Sequence, residues 1–434
     1  MKIAILGFDV EGRASFDYFA SKGHDVSIRD RNSEAVVPEN IESLLGDAYL
    51  NDLDQYDLLV RTPGLHPSKI LESNPNVKDK ITTHVNEFFS SCPTKNIIGV
   101  TGTKGKGTTS TLITKLLEAF GKQVKLGGNL GLPPLTFIDS LSSDSWVVLE
   151  LSNFQLIDLK YSPYIAVCLG VVPEHLDWHS DMNEYVAAKS QLFAHQTDED
   201  IAIYYSENDL SKQIASLGKG KLIPFFQPPG AYINEGAIVM ENLSICKTSE
   251  LKLPGSHNWQ NVCAAVTAAW NVDHNVDPIK SVLTSFTSLE HRIEFVKEVN
   301  NVSYYNDSYA SGLKATEAAI DAVEGMKVVI LGGYDRMLDI NEFGPFIVKH
   351  TDLIRNLLLI GQSAKRIAKM FDEVHFDNYV IKDELKTMPD VVSAAKELAE
   401  PGDSILLSPG FASFDMFKNF SERGKQFKEA VNAL

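Results

Sequence analysis

The sequence predicts an α/β protein of three domains, each built on a mainly parallel sheet, and three observations lead there. The chain has 434 residues, too many for one ordinary core when a domain takes roughly 100–200. Short apolar strand patterns alternate with longer helical stretches along its length. That alternation restarts near Cys92-Pro93 and again after Leu289, dividing the chain into 1–93, 94–288 and 289–434.

In the first division residues 2–7 (KIAILG) read as a buried strand, 13–22 as a helix and 25–30 (DVSIRD) as a second strand, a Rossmann-like opening. In the second, a strand from Asn96 leads into a region that continues through SWVVLELS and YIAVCLGVV. Strands this apolar fit a parallel sheet covered by helices, as in P-loop ATPases. In the third, KVVILGG (327–333), NLLLIG (356–361) and DSILLSPG (403–410) are separated by SAKRIAKMF and PDVVSAAKEL, a Rossmann-like C-terminal domain. No low-complexity segment or short-period repeat interrupts the pattern.

Composition narrows the partners. A formal charge of −17 opposes general binding to nucleic acid or to an anionic membrane, which needs clustered Lys and Arg. Cys92, Cys168, Cys246 and Cys263 show no close pairing and no metal-ligand spacing, so they read as reduced thiols of a cytoplasmic protein. The N-terminus runs straight into a strand without a signal-peptide pattern, and no apolar run approaches the roughly 20 residues of a membrane helix.

The strongest local motif is Gly99-Val-Thr-Gly102-Thr103-Lys104-Gly105-Lys106-Gly107-Thr108-Thr109, between a strand and a helical pattern. It reads as a phosphate loop. Glycines let backbone N–H groups approach phosphate oxygens, the helix N-terminus adds partial positive charge, and Lys106 reaches the β/γ-phosphates. Two residues rather than four separate Gly102 from Gly105, and Gly107 follows the lysine, so the general pattern is not met; a glycine-rich turn with surface lysines is the alternative. In the N-terminal domain Gly7-Phe-Asp9-Val-Glu-Gly12 has the spacing of a dinucleotide fingerprint, but Asp9 puts a side chain and a negative charge at the middle glycine position, which opposes NAD.

The short TG-x-x-GK-x-T loop resembles that of the Mur ligases, shared with folylpolyglutamate synthases. Gly127-Gly-Asn-Leu-Gly-Leu-Pro133, Leu149-Glu-Leu-Ser-Asn-Phe-Gln155, Glu174-His-Leu-Asp177, Tyr185-Val-Ala-Ala-Lys189, Gly255-Ser-His-Asn-Trp-Gln-Asn261, His291-Arg292, Asn306-Asp-Ser308 and Leu407-Ser-Pro-Gly-Phe-Ala-Ser413 follow in the order of that family over nearly the whole chain. The resemblance implies a monomeric ATP-dependent ligase that joins D-glutamate to UDP-N-acetylmuramoyl-L-alanine in peptidoglycan precursor synthesis. It also implies that 1–93 binds the UDP-substrate, 94–288 binds ATP, and 289–434 binds the incoming amino acid and closes on ATP.

By the same resemblance Gly102 to Thr109 bind ATP, and Thr108, Glu150, His175 and Lys189 serve two Mg²⁺ ions, with Lys189 carbamylated by CO₂. Lys106, His175 and Lys189 are the implied catalytic groups. A strand-end acid such as Glu150 suits Mg²⁺ at the carboxyl edge of a parallel sheet, while a lone histidine or a helical lysine has a plain structural or solvated alternative. Asn258 and Asn261 lie on one helix face and suit an adenine edge, with helix capping as the rival. Arg292 and Asp307 are implied at the phosphates and ribose; Asp30, Arg31 and Asn129 at the UDP-substrate; Arg336, Ser413, Phe414 and Phe420 at the amino acid.

The chain departs from the family at Asn306-Asp-Ser-Tyr309-Ala-Ser311-Gly312, where Asn-Asp-Ser-Lys-Ala-Thr-Asn is usual. That leaves D- against L-glutamate open. Gly107 leaves open whether Thr108 or a water completes a magnesium shell. A folate ligase and a non-catalytic nucleotide-binding protein are the remaining alternatives; the added N-terminal domain opposes the first, and intact Lys106, Glu150, His175 and Lys189 oppose the second.

Overall fold

The computed structural model describes residues 1–434 apart from 177, 254–256, 288–289 and 336–339, and apart from the side chains of His257 and Lys314. The described chain forms two compact units, Met1–Phe286 and Thr287–Leu434. The division suggested by sequence at 288/289 falls on residues outside the described set.

The first unit holds two all-parallel sheets. One runs in the order Ser43–Leu45, Asp25–Asp30, Lys2–Leu6, Leu58–Arg61, Ile81–Thr83. The other runs Lys221–Phe225, Ile201–Tyr205, Ile165–Cys168, Ile97–Thr101, Trp146–Glu150, Val124–Gly128. Side chains alternate across a strand, so Trp146 and Val148 enter one core while Val147 and Leu149 enter another. That second core also takes Ile3 from the N-terminal sheet, Phe8 from the loop after it, and Phe16, Val85 and Phe88 from the helices Val10–Ser21 and His84–Ser91, which is why residues 1–93 do not stand as a separate compact unit. Polar contacts reinforce the junction. The Arg61 guanidinium, fully buried, donates to both oxygens of Asp158 at 2.7 and 2.5 Å, and Gln155 donates to Glu11 at 2.5 Å.

The helix expected at 13–22 begins earlier, at Val10, because Asp9 caps it by accepting the Gly12 N–H at 3.1 Å. The cap occupies the position where a dinucleotide would approach. A three-stranded antiparallel sheet, Tyr232–Asn234, Ala237–Met240, Leu243–Lys247, was not expected from sequence. Its turns, Glu235-Gly236 and Glu241-Asn242, have positive φ at both residues, the backbone that tight hairpins prefer.

The second unit is built on one sheet in the order Glu294–Val299, Val302–Asn306, Ser404–Leu407, Lys327–Gly332, Ile354–Ile360, Tyr379–Ile381. It is parallel except at its first strand, which pairs antiparallel. The α/β class with Rossmann-like parallel sheets is thus the observed one. No helix among the described residues is long and apolar enough to cross a membrane.

Candidate active site

Neighbouring parallel strands of the central sheet deliver their following loops to one edge. Ile97–Thr101 leads to Gly102, Trp146–Glu150 ends in its carboxylate, Val124–Gly128 leads to Asn129, and Ile165–Cys168 leads to the loop carrying His175.

The loop Gly102 to Gly105 turns directly into the helix Lys106–Ala119. Glycine is required at both ends of the turn: φ is +145° at Gly102 and +87° at Gly105, where a Cβ would stand 2.1 Å from Asn261 Oδ1. Lys106 Nζ donates to the carbonyls of Gly102 and Thr103 at 3.2 and 3.0 Å, lying back across the loop. Lys104 is exposed, Thr108 half-buried, and Gly107 and Thr109 buried. Thr103 ties the loop to the strand-following segment and to the helix that carries Tyr185. Its N–H donates to Gly170 O at 2.9 Å, and its hydroxyl contacts Val172 O at 3.1 Å and Tyr185 Oη at 3.0 Å.

Lys189 lies in the helix Met182–Ala194 with 1% of its surface exposed. Nζ donates to Gly102 O at 2.9 Å and sits 4.6 Å from the centroid of the Tyr185 ring, one helical turn back. Burial, helped by the charge of Lys106, pushes its pKa down to about 7. The sequence reading did not single out Tyr185; its i−4 spacing from Lys189 was the available signal.

Glu150, 2% exposed, accepts from Asn129 Nδ2 at 2.7 Å through Oε1, while Oε2 is buried with no hydrogen-bond partner among the described residues. An orphaned carboxylate oxygen at a sheet edge fits a hard cation such as Mg²⁺. His175 has φ +57°, is exposed, and packs its ring 4.9 Å from Phe154. Asn258 and Asn261 are buried on the helix His257–Trp270; Asn261 donates to Asn258 at 2.9 Å and its Oδ1 lies 3.5 Å from the Thr109 hydroxyl. Asn261 thereby meets the phosphate-loop helix through Thr109.

Nearby, His66, His179 and Glu184 bring potential metal-ligand atoms within 4.8 Å of one another. The hydrogen bonds assign protons there instead. His66 Nδ1 accepts the Ser68 N–H, leaving its Nε2–H facing Glu184 at 3.5 Å. Asn153 meets His179 Nε2 at 2.8 Å, leaving Nδ1–H for Glu184 at 3.2 Å. Burial holds both imidazole pKa values down, and the N–H donors outweigh burial in holding the Glu184 pKa down, so neutral rings bracket a carboxylate.

In the N-terminal sheet Asp30 accepts the N–H groups of Phe8 at 2.5 Å and Asn32 at 2.7 Å, and Arg31 is exposed. In the second unit Asp307 accepts from Ile293 N–H at 3.2 Å and Ser408 Oγ at 2.7 Å, and burial outweighs these donors to raise its pKa to about 7. Arg292 lies over the Tyr309 ring. Ser413 is buried, while Phe414 and Phe420 are exposed; Arg336 lies outside the described residues. Sequence reasoning missed Arg423, whose buried guanidinium donates to Ser308 Oγ, Ser308 O and Phe411 O at 2.9, 2.8 and 3.1 Å. On the helix Phe420–Asn432 it had the look of a surface charge.

A phosphate loop and an orphaned carboxylate on one edge of a parallel sheet define a nucleotide-using α/β protein. Residues 100–269 match the Mur ligase middle domain, and residues 291–411 match the Mur ligase, glutamate ligase domain. The chain is 37% identical to the UDP-N-acetylmuramoylalanine--D-glutamate ligase of Acetivibrio thermocellus, over 100% of this chain and 96% of that one. It is 35% identical to the enzyme of the same name from Clostridium kluyveri, over 100% and 97%. The chain belongs to the Mur ligase family, and it is an enzyme of the ATP-dependent ligase class. Among solved structures, MurF from Acinetobacter baumannii shares the fold with a TM-score of 0.58 at 16% identity, over 99% of this chain and 93% of that one. MurC from Thermotoga maritima does so with a TM-score of 0.56 at 16% identity, over 100% and 99%.

Proposed function

We propose that this enzyme joins D-glutamate to UDP-N-acetylmuramoyl-L-alanine, splitting ATP to ADP and phosphate through an acyl-phosphate. The observation that carries the reading is the meeting of Lys106 and the buried Lys189 on the Gly102 carbonyl, at the edge where Glu150 holds an unpartnered oxygen. The full-length likeness to D-glutamate ligases supports the choice of substrates.

The alanyl carboxylate attacks the γ-phosphorus, forming a C–O–P bond as the bond to ADP breaks. The amine of glutamate then attacks the acyl carbon, loses a proton, and phosphate leaves with its electron pair. Lys106 and the loop N–H groups hold the phosphates and offset the negative charge that gathers in the first step. Thr108, Glu150, His175 and Lys189 are assigned to two Mg²⁺ ions, which when bound would supply charge neutralisation at the transferring phosphoryl group. Lys189 is assigned as a carbamate: a lysine with its pKa near 7 presents the neutral amine that CO₂ requires. Asn258, Asn261, Arg292 and Asp307 are assigned to the nucleotide; Asp30, Arg31 and Asn129 to the UDP-substrate; Arg336, Ser413, Phe414 and Phe420 to glutamate. The enzyme is read as a cytoplasmic monomer.

The test is phosphate release with ATP, Mg²⁺ and UDP-N-acetylmuramoyl-L-alanine, comparing D- with L-glutamate. Release with the D-isomer alone is expected. Preference for the L-isomer would reassign the acceptor, and silence with both isomers would overturn the reading.

A further inference from the structure

The turn that presents Arg292 is strained on both sides. His291 and Ile293 have φ of +66° and +46°, a region that residues other than glycine seldom occupy and that clusters at functional sites. Hydrogen bonds from all around hold it. The His291 N–H donates to Glu294 at 2.9 Å, the Ile293 N–H donates to Asp307 at 3.2 Å, and the Tyr309 N–H donates to the His291 carbonyl at 3.0 Å. The His291 ring meets Asn306 Nδ2 at 2.9 Å.

Between the strained residues, the Arg292 guanidinium carbon lies 4.0 Å from the centroid of the Tyr309 ring, and the Arg292 Nε is buried without a hydrogen-bond partner among the described residues. Tyr309 is itself held edge-on against Phe420, with centroids 5.0 Å apart at 82°. Among the described residues no ion pair within 4.0 Å involves Arg292, and its charge acts only at longer range on the buried carboxyl of Asp307. An ion pair would spend the guanidinium's charge inside the protein. An aromatic face fixes its plane and leaves the charge and N–H groups for a ligand.

We propose that Tyr309 is a positioning residue for Arg292, holding its guanidinium over the phenol ring so that its charge is presented to the phosphate groups of the nucleotide. The inference rests on the assignment of Arg292 to the nucleotide made above. It gives the tyrosine at this departure from the family pattern a role that a lysine could not take, because an ammonium there would repel the guanidinium.

The experiment measures kcat and the KM values for ATP and D-glutamate in the full chain carrying Arg292→Ala, Tyr309→Phe, Tyr309→Leu, or Arg292→Ala with Tyr309→Leu. Tyr309→Phe keeps the ring face and is expected within about twofold of wild type, whereas Tyr309→Leu should raise KM for ATP roughly three- to tenfold with kcat nearly unchanged and a smaller change in KM for D-glutamate, through the lost contact with Phe420. Added to Arg292→Ala, Tyr309→Leu should have little further effect, since the partner it positions is gone. Calorimetric titration with ADP gives the same comparison for any variant that has lost turnover. If Arg292→Ala leaves nucleotide affinity unchanged, the nucleotide assignment fails, and the inference with it. If Arg292→Ala weakens nucleotide binding but Tyr309→Leu does not, or shifts KM for D-glutamate instead, the assignment stands and the positioning role is overturned.

Discussion

Lys189 shows how much chemistry one burial can carry. A lysine is rarely enclosed without a counter-charge, and here the side chain keeps 1% of its surface, faces a carbonyl and a ring, and has Lys106 as a like-charged neighbour. Its pKa of about 7 makes the neutral amine the majority form only above that pH. Lys189→Ala is therefore expected to lower turnover by about a hundredfold and to regain part of it with added short-chain carboxylate. After removal of CO₂, recovery of the wild-type enzyme at equal dissolved CO₂ should be faster at about pH 8 than at about pH 6, because protonation removes the reacting lone pair. Turnover near the wild-type level in Lys189→Ala would sink the carbamate assignment. Arg423 makes a contrasting use of burial: its pKa, pushed down to about 10, leaves it a cation at neutral pH, spent on carbonyls and a hydroxyl that tie Ser308 and Phe411 together.

At the scale of the element, the phosphate loop depends on a backbone that only glycine tolerates. An alanine at Gly105 would meet Asn261 Oδ1 at 2.1 Å in a left-handed conformation, so loop or helix must shift. Gly105→Ala is expected to lower kcat/KM for ATP by about a hundredfold, since a displacement near 1 Å has that cost, while the far-ultraviolet circular dichroism stays that of the folded chain. An unchanged kcat/KM would show that the Asn261 contact is not needed where it stands. This motif was readable because a strand, a glycine turn and a helix follow one another within a few residues. The hairpins over 232–247 carried a comparable signal in Asn234-Glu-Gly236, but their strands are short and the turn residues mixed, so apolar periodicity alone did not reveal them. Thr103 carries a tertiary link that its place in the motif does not reveal: its N–H and hydroxyl bond to Gly170, Val172 and Tyr185.

At the scale of the molecule, two sheets share one unit because apolar side chains from both fill a common core and Arg61 crosses between them to Asp158. Asp158→Ala would leave the guanidinium buried and uncompensated. The expected loss is roughly 2–4 kcal/mol, below the full cost of breaking a buried pair because Asp158 keeps 21% of its side chain exposed. Trp146, Trp178, Trp259 and Trp270 all lie in Met1–Phe286, so a denaturant midpoint followed by tryptophan fluorescence reads this unit. An unmoved midpoint would show that the apolar core alone joins the sheets. By itself the sequence determined the α/β class, the positions of the main strands and the phosphate loop, because strand period, helix period and turn chemistry are written in neighbouring residues. Only the tertiary structure decided which charges are enclosed, that Glu150 keeps an unpartnered oxygen, and that Lys189 meets Gly102 across 87 residues of chain. Burial and pairing are sums over contacts between distant segments, and no local spacing encodes them.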